Sequence, residues 1–212
     1  FNLPWGARVG AQFDVLDEFR LEIDATVEGW AMHDAIRIEP ENMRLTGHVG
    51  LPENYAMPDQ EIPRGFQNAY SARVGGELDV ELGDALLQPR LGVSFETSAV
   101  PKEYLSVLTV DVPKLTVGFG AGVYMGRWRF DAVYAHVFEA QIDVSTEEAR
   151  VPLLVPIAAN QPDPHYVNAG EYNANAHVVG LGVAYSFDGP MHDKHSKPGA
   201  AGAQGMVSGV GE

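Results

Sequence analysis

The 212-residue sequence predicts an all-β chain, an antiparallel transmembrane β-barrel, on three observations. Apolar residues recur with a period of two over segments longer than the roughly five or six residues usual in soluble strands. One face of every such segment is free of charge, although 20% of the chain is Asp, Glu, Lys or Arg. Tight turns alternate with long loops, which is the layout of outer-membrane barrels, whose short turns face the periplasm and whose long loops face outward.

Seven segments carry the pattern: 4–15, 20–38, 66–80, 86–98, 112–125, 127–144 and 176–187. The first sets Trp5, Ala7, Val9, Ala11, Phe13 and Val15 on one face against Arg8, Gln12 and Asp14 on the other. The second turns alternate residues from Leu21 to Gly29 outward, the third Tyr70 to Val80, the fourth Leu87 to Phe95 and the fifth Leu115 to Met125. In the sixth, Trp128, Phe130, Ala132, Tyr134, His136, Phe138, Ala140 and Ile142 oppose Arg129, Asp131, Glu139, Gln141 and Asp143. The seventh presents alternate residues from His177 to Phe187. Leu16-Asp17-Glu18-Phe19, Glu81-Leu82-Gly83-Asp84 and Gly126 with its neighbours read as hairpin turns. The connections 39–65, 99–111 and 145–175 are long and rich in Pro, Asn and acidic residues.

A soluble β-sandwich alternates in the same way. Two features favour the barrel. The dry face is aromatic at its strand ends (Trp5, Tyr70, Trp128, Tyr185, Phe187), as interfacial girdles are, and the wet face is poor in Lys and rich in Gly. Composition narrows the function classes. Without cysteine there is no disulfide framework, thiolate metal site or catalytic thiol. A net charge of −15 has the wrong sign for a nucleic-acid partner. No run approaches the ~18 apolar residues of a membrane helix, and mean hydropathy is uninformative for alternating strands. Ala7-Arg8-Val9-Gly10 with Asp14-Val15 echoes Ala72-Arg73-Val74-Gly75 with Asp79-Val80, as expected of two equivalent strands of one barrel with Arg8 and Arg73 at one depth. The sequence opens on Phe1 with no signal-like segment, so it reads as processed, truncated or cut from something longer.

Three stretches carry a family likeness. Arg20-Leu21-Glu22-Ile23-Asp24, leading to Trp30, Asp34 and Ile36, is similar to a long acidic strand ending in tryptophan. Glu61-Ile62-Pro63-Arg64-Gly65-Phe66-Gln67-Asn68-Ala69-Tyr70, running into Arg73-Val74-Gly75-Gly76-Glu77, resembles an I-P-R-N-W…R-L-G-G-E passage, with Gly65-Phe66 in place of Asn-Trp. Ala176 to Phe187 looks like a closing strand that ends in an aromatic. Together they resemble the carboxy-terminal half of the FadL/TodX family of outer-membrane transporters. The resemblance covers about residues 4–187 and implies a 14-stranded barrel with an amino-terminal plug, of which this chain supplies about seven strands. It further implies residence in the bacterial outer membrane, membrane lipid around the wall and a hydrophobic small-molecule ligand. Residues 188–212, made of Gly, Ala, Ser and scattered charge, are expected to form a flexible periplasmic tail.

No catalytic constellation is present: H-E-x-x-H and G-x-S-x-G are both absent, and Gly118, Gly120 and Gly122 lie within a period-two strand. No cofactor or metal is expected. His192 and His195 form an H-x-x-H lacking the further ligands of a stable site, while His136 and His177 fall on the lipid face as neutral interfacial residues. The candidate lumen and substrate-pathway residues are Arg8, Arg73, Arg90, Arg129, Glu22, Asp24, Glu77, Asp79, Asp131 and Glu139. Charges in a narrow lumen are costly unless paired or hydrated. They form either a salt-bridge ladder or a set of transient partners for a substrate carboxylate, and the excess of acids leaves neutral hydrophobic substrates open as well. The expected function is passive transport of hydrophobic molecules such as long-chain fatty acids, with lateral release. The alternative is a structural barrel that binds surface partners through loops 39–65 and 145–175. Seven strands leave two unpaired edges, each unpaired backbone group in hydrocarbon costing several kcal/mol, so a second chain or the missing amino-terminal half is expected to complete the wall.

Overall fold

A computed structural model describes residues 3–47, 52–153 and 165–191. From the amino terminus, β1 (Gly6–Asp14) and β2 (Phe19–Glu28) form a hairpin. The chain then makes a 3-10 turn at Trp30–Met32 and a loop layer of β3 (Ala35–Ile38), β4 (Arg44–Leu45), β5 (Tyr55–Ala56) and β6 (Gln60–Pro63). It returns through β7 (Ala69–Leu78), β8 (Val80–Leu82) and β9 (Ala85–Glu96). After a second 3-10 turn, Lys102–Tyr104, come the hairpin β10 (Lys114–Met125) and β11 (Trp128–Glu139). A ribbon of β12 (Ile142–Val144) with β13 (Gly170–Tyr172) precedes β14 (Asn175–Tyr185).

One antiparallel sheet runs β1-β2-β7-β9-β10-β11-β14, with β8 beside β9. Strands β1 and β14 are its two edges and do not pair with each other among the described residues. Register keeps the two faces separate across the sheet. Val9 faces Ala25, Ala25 faces Ala72, Ala72 faces Phe95, Phe95 faces Leu115 and Leu115 faces Phe138, every one from the apolar set. Since a slip of one residue exchanges the faces of a strand, this agreement fixes the register of these six strands. The turns follow from local chemistry. Leu82 pairs with Ala85 and Met125 with Trp128, leaving two-residue loops whose first residues, Gly83 and Gly126, take φ of +63° and +58°. Tight hairpins require that left-handed conformation, and glycine adopts it without steric cost. The pairing with β9 lapses between Glu77 of β7 and Val80 of β8, and the Asp79 N–H there donates to the Glu18 carbonyl at 2.7 Å.

Two segments end earlier than their periodicity suggests. The stretch 20–38 is not one strand: β2 stops at Glu28, and β3 leaves the sheet to pair with β6. The Gly29 N–H donates to the Trp5 carbonyl at 2.7 Å, and the Trp5 ring occupies the place where a side chain at 29 would stand, so the chain turns there. The stretch 127–144 likewise divides into β11 and β12. The Ala140 N–H is taken by the Pro113 carbonyl at 2.9 Å, and β12 then pairs with β13.

Apolar burial is concentrated in the loops. Val100, Leu105, Val112, Val144 and Ala149 form a core beyond the loop end of the sheet, with Phe66, Tyr104, Ile142 and Tyr172 packed against it. Asn168 sits beside this core, donating its amide to the carbonyls of Glu103 and Leu105 and accepting from the N–H groups of Arg150 and Val151. At the turn end, Trp128, Tyr185 and Phe187 form an aromatic run with centroid separations of 4.8 and 5.0 Å. Just past β14 the Met191 N–H donates to the Gly126 carbonyl at 2.8 Å, while the rest of the expected tail, with His192 and His195, lies outside the described residues.

Candidate functional site

The inward faces of the seven spanning strands line a trough of about 920 Å³. Its side chains fall into three levels set by register. Toward the loop end, Asp24 on β2 accepts from Arg8 of β1 at 2.9 Å and from Arg73 of β7 at 3.0 Å. Arg73 also donates to the Thr26 hydroxyl at 3.2 Å. The Asp24 side chain is only 6% exposed, and two flanking guanidiniums offset the cost of removing it from water. Nearby, Lys114 bridges Glu96 at 2.6 Å and Asp111 at 3.3 Å.

Toward the turn end lies a continuous ionic chain: Arg20 pairs with Glu77, Glu77 with Arg90, Arg90 with Asp131 at 3.1 Å, and Asp131 with Arg129 at 2.7 Å. Asp79 extends it, bound by Arg20 at 3.0 Å and by the Gln88 amide at 2.7 Å. Gln88 in turn accepts from Arg90 at 2.9 Å, so every carboxylate in the chain has at least two donors. The Arg129 guanidinium also stands 5.1 Å from the Tyr124 ring centre.

Between these levels runs a bare row. Gly75 faces Gly92, Gly92 faces Gly118 and Gly118 faces Ala135 across four neighbouring strands. No side chain longer than a methyl projects from the row there, which gives the trough a smooth floor.

The candidates picked out by sequence therefore fall into two groups and two singletons. Arg8, Asp24 and Arg73 come together, as do Glu77, Asp79, Arg90, Asp131 and Arg129. The side chains of Glu22, beside Gly75, and Glu139, at the loop end of β11, make no hydrogen bond or ion pair with another described residue. Arg8 faces Thr26 and Arg73 faces Asp24, so the echoed arginines stand one inward position apart yet share one acid. Arg20 is the residue sequence reasoning missed. Its parity, opposite to outward Leu21, was the available signal. Outside the wall, Lys102 and the Ser145 N–H and hydroxyl hold the Glu148 carboxyl down to about 2. Among the described residues no group of three or more His, Asp or Glu side chains is arranged to hold a metal ion.

A family model described as outer membrane protein transport protein (OMPP1/FadL/TodX) matches residues 1–187. The chain belongs to this family. It is thus a bacterial outer-membrane β-barrel protein, and its family is one of transporters rather than enzymes. Among solved structures, a Pseudomonas aeruginosa FadL homologue is similar at a TM-score of 0.62 and 18% identity, over 87% of this chain and 36% of that one. That likeness shows the fold: the open sheet corresponds to part of a barrel wall, and the chain spans about a third of the length of the homologue. Comparison with curated proteins gives no match.

Proposed function

We propose that the protein carries hydrophobic molecules, long-chain fatty acids among them, passively across the outer membrane. The outer loops capture the ligand, which enters the lumen beside a plug and leaves sideways into the membrane. The wall is completed by an amino-terminal half or a second chain, and no covalent step or cofactor is involved. The observation that carries this reading is a lumen face whose arginines are all satisfied by acids of the same wall, leaving the Gly75–Gly92–Gly118 row as the uncharged floor of the trough. An apolar chain sliding over this row displaces water without breaking an ion pair, while the Glu22 carboxylate at its β2 end keeps its water. Arg8, whose side chain is 60% exposed, is the cation most open to a fatty-acid carboxylate arriving from the loop end. The ladder near the turn end serves the wall.

Obstructing the floor tests this. A Cβ at Gly75 or Gly92 would meet its nearest atom at 3.5 or 3.6 Å, ordinary contact distances, so Gly75→Leu and Gly92→Leu are expected to assemble normally while filling the trough. Uptake of long-chain fatty acid by cells carrying either variant should fall several-fold. Unchanged uptake through a normally assembled barrel would move the pathway elsewhere and favour a scaffold that works through loops 39–65 and 145–175.

A further inference from the structure

On the outward face, near the loop end of β11 and β14, three polar side chains crowd together where only apolar ones are required. His136 and His177 face each other in register, and their Nδ1 atoms are 3.2 Å apart. The Tyr134 hydroxyl lies 2.7 Å from the same His177 Nδ1. A ring nitrogen carries either one proton or one lone pair. His177 Nδ1 therefore serves one of these two partners with full geometry and not both. Two partners on one ring nitrogen are oversubscribed as hydrogen bonds and well matched as neighbouring ligands of a shared ion.

The spacing fits that role. Two imidazole nitrogens each about 2.05 Å from a metal ion and 3.2 Å from one another subtend about 100° at the metal, close to a tetrahedral edge. The rings are held by aromatic neighbours: Phe138 packs edge-on to His136 at 4.1 Å, and Phe119 lies 5.2 Å from Tyr134. Depth fits as well. His136 stands about 20 Å above Trp128 along the barrel axis, given ~3.3 Å per residue and a tilt of ~40°, which brings it within about 5 Å of the upper border of an apolar band ~25 Å tall. At that border water oxygens reach the open coordination positions, and a net charge of −15 attracts cations to the surface.

We propose that His136 and His177, with Tyr134 at their side, bind a divalent transition-metal ion of imidazole preference at the outer rim of the barrel. Imidazole ligands suit Zn2+, Ni2+ and Cu2+, and Cu2+ binds tightest of the three. The site is separate from the lumen, since all three residues carry outward parity.

The test is a Cu2+ and Zn2+ titration of the full-length protein purified in detergent, read by calorimetry and by the Cu2+ electron paramagnetic resonance spectrum. About one Cu2+ per chain with nitrogen hyperfine coupling is expected, weakening by about tenfold or more in His136→Phe and in His177→Phe. Phenylalanine keeps an aromatic ring at the rim, and heat-modifiable migration confirms that each variant is assembled. Tyr134→Phe should weaken binding less. Replacing His192 and His195 together by Ala should leave the titration unchanged. Absence of Cu2+ binding in the parent protein, equal affinity in the His136 or His177 variants, or loss confined to the His192/His195 variant would each overturn the proposal.

Discussion

Leu181 in the wall is 84% exposed, whereas Leu105 in the loop layer is fully buried, although both belong to one chain and one residue type. The charges are reversed in the same sense. Arg90 and Asp131 pair inside the trough, while Lys102 and Glu148 pair on the outside of the loop layer. The difference teaches that each region is matched to its own solvent. The loop layer meets water and buries Leu105 and Val144 as any soluble domain does. The wall meets hydrocarbon, so its apolar side chains point outward without penalty and its polar ones must find partners inside.

Substitutions that are harmless in one region and damaging in the other break or sharpen this contrast. The largest effect is expected from Leu181→Arg, or equally Val9→Arg, since a charge near the bilayer midplane costs ~2–4 kcal/mol. Neither variant should reach the heat-modifiable form, and normal assembly of both would refute the outward register. Next in its effect on the barrel comes Leu105→Ala, although the cavity it leaves costs about 2–5 kcal/mol. Because that cost falls on the loop layer, protease sensitivity of the loops should rise while the barrel stays heat-modifiable. Smallest is Arg90→Ala. Glu77 keeps Arg20 and Asp131 keeps Arg129, so the loss should be about 1–3 kcal/mol of barrel stability with assembly intact. Thermal unfolding of the purified barrel measures it, and a wholly unassembled Arg90→Ala barrel would show that the ladder is less redundant than its pairing.

How much of this was legible in the sequence follows the same division. In the wall, lipid on one side and ions on the other impose strict alternation, so parity alone placed Val9, Phe95 and Leu181 outward and Arg8, Arg73 and Asp131 inward. Parity says nothing about where a strand leaves the sheet, and β3 and β12 continue the alternation in ribbons of their own, which is why 20–38 and 127–144 read as single strands. The ends are set by contacts distant in sequence, Trp5 with Gly29 and Pro113 with Ala140. The loop core was not legible, because Val100, Leu105 and Ala149 lie in short irregular stretches with no period. Within the site, membership was readable and partnership was not. Asp24 serves both Arg8 and Arg73 only because β2 runs between β1 and β7, and Arg20 reaches Glu77 and Asp79 only through the β2–β7 register.

The central claim, an outward face in lipid and an inward face along an aqueous trough, can be tested directly because the chain has no native cysteine. Single cysteines placed in turn at Val178, Val179, Gly180, Leu181, Gly182 and Val183 of β14, in the completed barrel in lipid vesicles, report on both faces in one strand. Gly180 and Gly182 line the trough. The account predicts that cysteines at 178, 180 and 182 react with a membrane-impermeant, water-soluble thiol reagent. Those at 179, 181 and 183 should resist it, and a fluorophore attached there should be quenched by a lipid-borne quencher. Reaction without alternation, or alternation with the opposite parity, would contradict it.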